Sequence, residues 1–297
     1  MKSGIVILNK ENGITSQTAV NKIKRLFGAD KAGHTGTLDP LATGVLPILI
    51  GRAVKASEFL LFGNKCYSAT LLLGRTTDTE DITGETLTTC EQIPSEREVY
   101  EAVKSMLGAS LQTPPMYSAI KVGGKKLYDL AREGKVVDRE PREIFVYSIE
   151  CERLSDTEYK IDVECSKGTY IRTLLSDIGK KLGCGGTMAT LTRTRAAKYD
   201  ISEAHTLAQI EAMTEEERER LIIPTEDIFA DKRQVNLPAF FARLARCGVE
   251  IYLKKIGLTA EPGELITLWE DGKFFALGEV REFDGGLAIK PIRQFDV

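Results

Sequence analysis

The sequence predicts an α+β protein: a mixed, largely antiparallel sheet flanked by helices, followed by a small β-rich C-terminal domain. Three observations lead there. Strand-like segments follow one another closely, as at 142–154 and 158–166 across the polar turn Ser155-Asp156-Thr157. Helical spacing of apolar residues recurs between strands, at 16–27, 95–107 and 169–182. After Pro224 the pattern changes to short β segments broken by Pro262-Gly263, Asp271-Gly272 and Gly285-Gly286. The length of 297 residues is that of two domains, expected at 1–228 and 229–297.

The elements follow in order. Residues 4–9 (GIVILN) read as a buried strand. Ala19, Val20, Ile23, Leu26 and Phe27 then define one face of a helix over 16–27, stopped by Gly28. A glycine-rich loop at 33–44 (GHTGTLDPLATG) leads to a strand at 45–51 and a short helix at 52–62. A β-rich strand at 65–73 precedes a polar loop at 76–81. A helix over 95–107 buries Val99, Ala102, Val103, Met106 and Leu107, and Gln112-Thr113-Pro114-Pro115 breaks the chain. A strand at 117–122 and a basic amphipathic helix at 125–133 come next. After the 142–166 strand pair, a helix at 169–182 ends at Gly183, with a strand near 188–197 and a helix near 205–220. In the tail, Asp271-Gly272 between LITLWE and KFFALGEV is a hairpin signal.

Composition excludes several classes. Apolar content of 42% and charged content of 28% describe an ordinary globular protein. The longest strongly apolar run, VLPILI at 45–50, is too short to span a bilayer, and the N-terminus lacks a signal-peptide pattern, so a cytoplasmic protein without membrane contact is expected. The six cysteines form no C-x-x-C pair and only two histidines are present, so neither a disulfide framework nor a metal site is supported. The net charge of −3 hides an asymmetry: residues 1–75 carry ten Lys/Arg against four Asp/Glu, whereas 200–230 carry two against nine. A basic N-terminal face permits nucleic-acid binding.

Four stretches carry candidate chemistry. No P-loop, dinucleotide fingerprint or nucleophile elbow is present. In the 33–44 loop, Asp39 precedes Pro40 and reads either as a turn initiator or as a carboxylate held rigidly beside a substrate. A buried Asp would need a cationic partner, preferably a bidentate Arg. The stretch CSKGTYIRTL at 165–174 puts Tyr170 and Arg172 at a helix start, where a cation opposes the macrodipole; this points to a partner elsewhere, and Asp39 is a candidate. Tyr67 in KCYSA is a core aromatic or a pocket aromatic. The stretch 112–128 interleaves Lys121, Lys125 and Lys126 with aromatics, which suits phosphate contacts and base stacking, or a solvated hairpin.

Taken together, GHTGTLDPLATGVLP, KCYSATLLLGRTTDTEDITGE, QTPPMYSAIKVGGKKLYDLAREG and SKGTYIRTLLSDIGKKLGCGG resemble the bacterial tRNA pseudouridine-55 synthase (TruB) family in order and spacing. The tail resembles the PUA-type RNA-binding domain of such enzymes. The resemblance implies isomerisation of one T-loop uridine of tRNA to pseudouridine, by base flipping, with no cofactor or metal. It implies Asp39 as nucleophile or base, acting at uracil C6 or at the ribose. It implies Arg172 as the partner of Asp39, Tyr67 stacking on the flipped uracil, and Tyr170 and Leu191 lining the pocket. His34 would fill the vacated space or support the T-loop, and Lys10 is kept as a pocket residue although the usual Asp-Lys-Pro-x-Gly reads Asn9-Lys10-Glu11-Asn12-Gly13 here. An insertion at about 112–140 would clamp RNA with Lys121, Lys125 and Lys126. The insertion and the lack of a long basic tail favour a stand-alone enzyme, without guide RNA and monomeric.

Overall fold

The computed structural model describes residues 2–61, 63–118 and 120–296; the side chains of Lys121, Val122, Lys126 and Arg132 lie outside the description. A nine-stranded sheet carries the first domain. From one edge its main path runs Gly4–Lys10, Thr43–Ile50, Gly186–Ala196, Lys65–Leu73, Glu158–Cys165, Arg142–Arg153 and Gly108–Gln112. Every pairing along this path is antiparallel except the one between Thr43–Ile50 and Gly186–Ala196, which is limited to Thr192↔Thr43 and Arg193↔Gly44. At that junction Gly44 is needed: its φ is +99°, and a Cβ would fall 2.2 Å from the Arg193 carbonyl oxygen.

Period-2 burial places the functional side chains. In Lys65–Leu73, residues 65, 67, 69, 71 and 73 are buried and their neighbours half-buried. Tyr67 therefore shares a face with Leu71, Val163 and Leu191, against the helix Ile171–Leu182 with its buried Leu175 and Ile178. The sequence shows this alternation poorly because a buried Lys65 occupies an inward position while Leu72 faces outward.

Several elements differ from expectation. The helix over 205–220 is two helices, Leu207–Ala212 and Glu215–Arg220, interrupted at the extended Met213 and restarted by a capping box on Thr214 and Glu217. The strand at 117–122 shrinks to Lys121–Val122, paired with Lys125–Lys126 around Gly123-Gly124. The edge strand Gly108–Gln112 and the helix Ala239–Arg246 were not foreseen. The segment 52–62 starts as a 3-10 turn, Gly51–Ala56, before the helix Ser57–Leu61.

The tail forms a five-stranded sheet ordered Arg233–Asn236, Leu265–Glu270, Lys273–Phe283, Gly286–Gln294 and Ile251–Tyr252. Positive φ at both Asp271 (48°) and Gly272 (74°) is the type I′ geometry that an Asp-Gly hairpin supplies. Phe229 joins tail and first domain: it packs with buried Ala56, Leu277 and Phe295, its ring 5.1 Å from that of Phe59. Among the described residues no helix is long and apolar enough to cross a membrane.

Gly44→Ala must force the parallel junction apart. We expect a loss on the order of 3 kcal/mol in urea unfolding. Gly28→Ala, at φ +60° with nothing within 4 Å of its Cβ, is expected to cost about 1 kcal/mol.

Candidate active site

The 33–44 loop is fixed from below by main-chain bonds. Ser16, buried at the start of the helix Ser16–Leu26, donates from Oγ to the Leu38 carbonyl and accepts from the Leu38 N–H, both at 2.8 Å. Lys10 is fully buried and its Nζ donates to the carbonyls of Ala42 (2.6 Å), Glu11 (2.8 Å) and Pro40 (3.2 Å). Burial pulls its ammonium down to about 8; the Asp39 charge acts upward and Arg193 further downward. Gly13 N–H reaches the Pro40 carbonyl at 2.9 Å, and the Asp39 carbonyl accepts from Ala42 N–H at 3.1 Å. Asp39 is thus a turn residue in its main chain, which leaves its carboxyl free to point elsewhere.

That carboxyl meets Arg172. Arg172 Nε lies 2.9 Å from Asp39 Oδ2, with the arginine side chain 5% exposed and the aspartate 37%. The pairing is single-pronged, not the bidentate fork preferred on general grounds. The guanidinium spreads its remaining donors: Nη1 to the Thr79 carbonyl at 2.9 Å, Nη2 to the Tyr117 carbonyl at 2.8 Å, with Asp81 Oδ2 3.7 Å from Nη1. Asp81 is itself buried, and its Oδ1 accepts from Thr79 Oγ1, Thr83 N and Thr83 Oγ1. These acceptors offset the cost of a cation in the first turn of Ile171–Leu182. Burial nevertheless dominates at Asp39: its carboxyl is held above the ordinary carboxylate range, with Arg172 pulling down, Asp81 pushing up and Lys10 pulling down.

Beside the pair opens a cavity of about 280 Å³, lined by Asp39, Tyr67, Tyr170, Arg172, Leu191 and Arg193 among others. That is the small end of ligand sites, which run to roughly 1,000 Å³. Tyr67 is 8% exposed, and burial drives its hydroxyl above the ordinary phenol range against the opposing charge of Arg193. Burial raises Tyr170 in the same sense. Leu191, opposite Ala69 in the strand register, adds an apolar wall. An aromatic, an apolar wall and a carboxylate with a fixed cation suit a flat polar ring with one reacting atom near Asp39.

Asp39, Tyr67, Tyr170, Arg172 and Leu191 thus come together. Lys10 and His34 do not line the cavity: Lys10 supports the loop from behind. His34 sits on the strand Ala32–His34, half-buried, its Nδ1 without a hydrogen-bond partner among the described residues and its imidazole held below the ordinary value by burial and by Arg193. Lys125 is exposed, with Glu133 3.9 Å away. The side chains of Lys121 and Lys126 lie outside the described residues.

Three residues of the site were not foreseen. Arg193 is almost fully buried, with Nε 2.7 Å from the Val45 carbonyl and Nη2 3.1 Å from that of Gly36. It is also the cross-strand partner of Tyr67. Lys65 lines the cavity and is pulled down to about 8, chiefly by burial. Asp81 completes the surroundings of Arg172. The available signals were a charge at an inward strand position for Lys65 and Arg193, and the run TTDTED for Asp81.

The chain matches the model of the TruB family pseudouridylate synthase N-terminal domain over residues 24–171. The model of the tRNA pseudouridylate synthase B C-terminal domain matches over 172–230. It is 41% identical over 277 residues to the tRNA pseudouridine synthase B of Methylobacillus flagellatus, covering 93% of this chain and 90% of that one. It is 41% identical to the Shewanella sp. (strain MR-4) protein of the same name, covering 97% and 93%. The Neisseria meningitidis protein is 39% identical, covering 94% and 91%. Two solved structures share the fold. One is an H/ACA RNP bound to a substrate RNA containing 2′-deoxyuridine (TM-score 0.70, 23% identity, 99% of this chain and 85% of that one). The other is a Cbf5-Nop10-Gar1 complex (TM-score 0.68, 25% identity, 98% and 84%). With relatives this similar along nearly its whole length, and with a site of this composition, the chain belongs to the TruB family of pseudouridylate synthases.

Proposed function

We propose that this chain isomerises uridine 55 in the T-loop of tRNA to pseudouridine, with Asp39 as the reacting carboxylate. The observation that carries the reading is the Asp39 carboxyl, 2.9 Å from a buried Arg172, at a cavity walled by Tyr67, Tyr170 and Leu191. The relatives' names supply tRNA as the substrate class. In the reaction the N1–C1′ bond breaks, the base turns, and a C5–C1′ bond forms as the C5 proton leaves and N1 takes one up. The same atoms enter and leave and no electrons are gained or lost, so the chemistry asks for a nucleophile or base and not for a redox partner. Asp39 adds to uracil C6, attacks C1′, or removes the 2′ proton.

The target nucleotide must leave its stack to reach a cavity of this size, at a cost of a few kcal/mol that is smaller in a loop than in a duplex. Tyr67 then stacks on the uracil and takes part in moving the C5 proton, while Tyr170 and Leu191 hold the ring edge and face. His34 supports the opened loop from the strand beside the cavity. The insertion at about 112–140, with Lys121, Lys125 and Lys126, clamps the RNA, and the tail acts as a PUA-like RNA-binding domain. The enzyme works alone in the cytoplasm, as a monomer and without guide RNA.

Asp39→Asn is expected to abolish pseudouridine formation from an unmodified tRNA transcript while leaving tRNA binding in place; residual conversion at the wild-type rate rules out the carboxylate as the reagent. Its stability moves the other way. The folded-state pKa of Asp39 lies above the unfolded value, so the folded protein binds the extra proton, and stability is lost as pH rises through the folded pKa. The Asn variant escapes that loss and should melt at or above the wild-type temperature at pH ~7. For the same reason the acid limb of the activity profile should lie above the ordinary carboxylate range, with activity falling as Asp39 is protonated.

Arg172→Lys should lower kcat about 100-fold, since one ammonium cannot serve Asp39, the Thr79 and Tyr117 carbonyls and Asp81 together. Full activity in this variant contradicts the pairing. Lys125→Ala should weaken tRNA binding and reduce the slope of log K against log salt by about one. An unchanged slope removes Lys125 from the footprint.

A further inference from the structure

We propose that Gln112 is a positioning residue for the catalytic pocket, its side-chain amide holding the Tyr170 main chain in place. The inference deepens the functional reading above and rests on it. Gln112 ends the edge strand Gly108–Gln112 and is only 3% exposed. Its Oε1 accepts from the Tyr170 N–H at 2.8 Å, and its Nε2 donates to the Tyr170 carbonyl at 3.0 Å. A flipped amide would set donor against donor and acceptor against acceptor, so only this orientation satisfies both groups. The side chain thereby makes the two-bond exchange that a neighbouring strand would otherwise supply.

The location gives the clamp its consequence. The strand Glu158–Cys165 has ended, the next strand in sheet order reaches only Arg142↔Gln112, and Tyr170 begins the helix Ile171–Leu182 without a side-chain cap. Residue 170 therefore lies at a strand-to-helix junction: its carbonyl also accepts the first helical bond, from Leu174 N–H at 3.0 Å, while among the described residues no strand pairs with its N–H, which donates to the Gln112 amide. Tyr170 lines the cavity, and two residues later Arg172 holds Asp39. Five residues beyond Gln112, the Tyr117 carbonyl accepts from Arg172 Nη2. The root of the insertion is thus bonded at two points, by three hydrogen bonds, to the segment that carries the pocket wall and the counter-ion. An apolar side chain of similar length fills the same volume and supplies neither bond, so the function of the amide is directional.

The isosteric Gln112→Glu separates positioning from packing. As a carboxylate, the introduced side chain still accepts from the Tyr170 N–H but turns a second acceptor toward the Tyr170 carbonyl; protonated, it donates there and restores both bonds. The buried carboxyl takes up a proton more readily than a free one. Turnover of a tRNA transcript is measured for wild type and variant from about pH 8 to about pH 5.5, and compared at each pH. We expect kcat about 30-fold below wild type at the alkaline end, recovering to within about threefold at the acid end, with tRNA affinity within about twofold throughout. Gln112→Met should show a similar loss with no recovery. Hydrogen exchange of the peptide covering 166–174, read without RNA, should quicken at least about tenfold in Gln112→Met. A variant-to-wild-type ratio that stays flat with pH, or unchanged exchange at 166–174, overturns the positioning role. Wild-type protein that makes no pseudouridine overturns the functional reading instead, while the exchange measurement still decides whether Gln112 holds Tyr170.

Discussion

One buried guanidinium organises this site. Arg172 enters at the start of a helix, where its charge is unfavourable, and is nearly removed from water. Such a charge is tolerated only when its donors are met, and here they are met from three other segments. Asp39 comes from the glycine-rich loop, Thr79 and Asp81 from the 76–85 turn, and Tyr117 from the root of the insertion. Removing the Thr79, Asp81 or Tyr117 acceptors leaves a nearly buried cation short of partners, at a cost of several kcal/mol, whereas a neutral amide at position 39 still offers Nε an acceptor oxygen. The same contacts that hold the arginine therefore hold the carboxylate and bring one wall of the cavity to the other.

The electrostatics around Asp39 are balanced rather than one-sided. Burial favours the neutral acid, Arg172 and Lys10 favour the anion, and Asp81 opposes it. Lys10 and Lys65 are both drawn down to about 8 by burial. Arg193, beneath the loop, depresses Lys10, His34 and Lys65 alike. A carboxylate paired through one oxygen with a single guanidinium nitrogen, and not chelated through both, keeps an oxygen for use as nucleophile or base. Its 37% exposure is the structural counterpart of that availability.

Much of the fold was legible because its signals are local. The helices Ser16–Leu26 and Glu96–Lys104 follow apolar spacing, and the Asp271-Gly272 hairpin follows from backbone freedom. The misses have physical causes. The edge strand Gly108–Gln112 carries only one buried side chain and Leu111 is 72% exposed, so it shows no alternation. The expected helix over 205–220 looked continuous because Thr214 reads as an interior residue until its capping box is seen. At the site, Asp39 and Arg172 lie on local motifs, whereas their pairing is long-range: the unfavourable helix-start charge made Asp39 a candidate partner, and the family pattern singled it out. Lys10 was placed in the pocket and lies behind it: a lysine's surroundings cannot be read from its neighbours in sequence. Arg193 and Lys65 were missed because a charged residue on a strand is ordinarily taken as outward-facing.

The most direct measurement is a crystal structure of this protein with a T-arm RNA carrying 5-fluorouridine at the target position. The fluorinated nucleotide is expected out of its stack, in the cavity between Tyr67, Tyr170 and Leu191, with an Asp39 oxygen in contact with, or bonded to, its uracil or ribose. A nucleotide left stacked in the loop, or seated in the cavity with Asp39 still turned only toward Arg172 and out of reach of both ring systems, contradicts a reaction centred on Asp39.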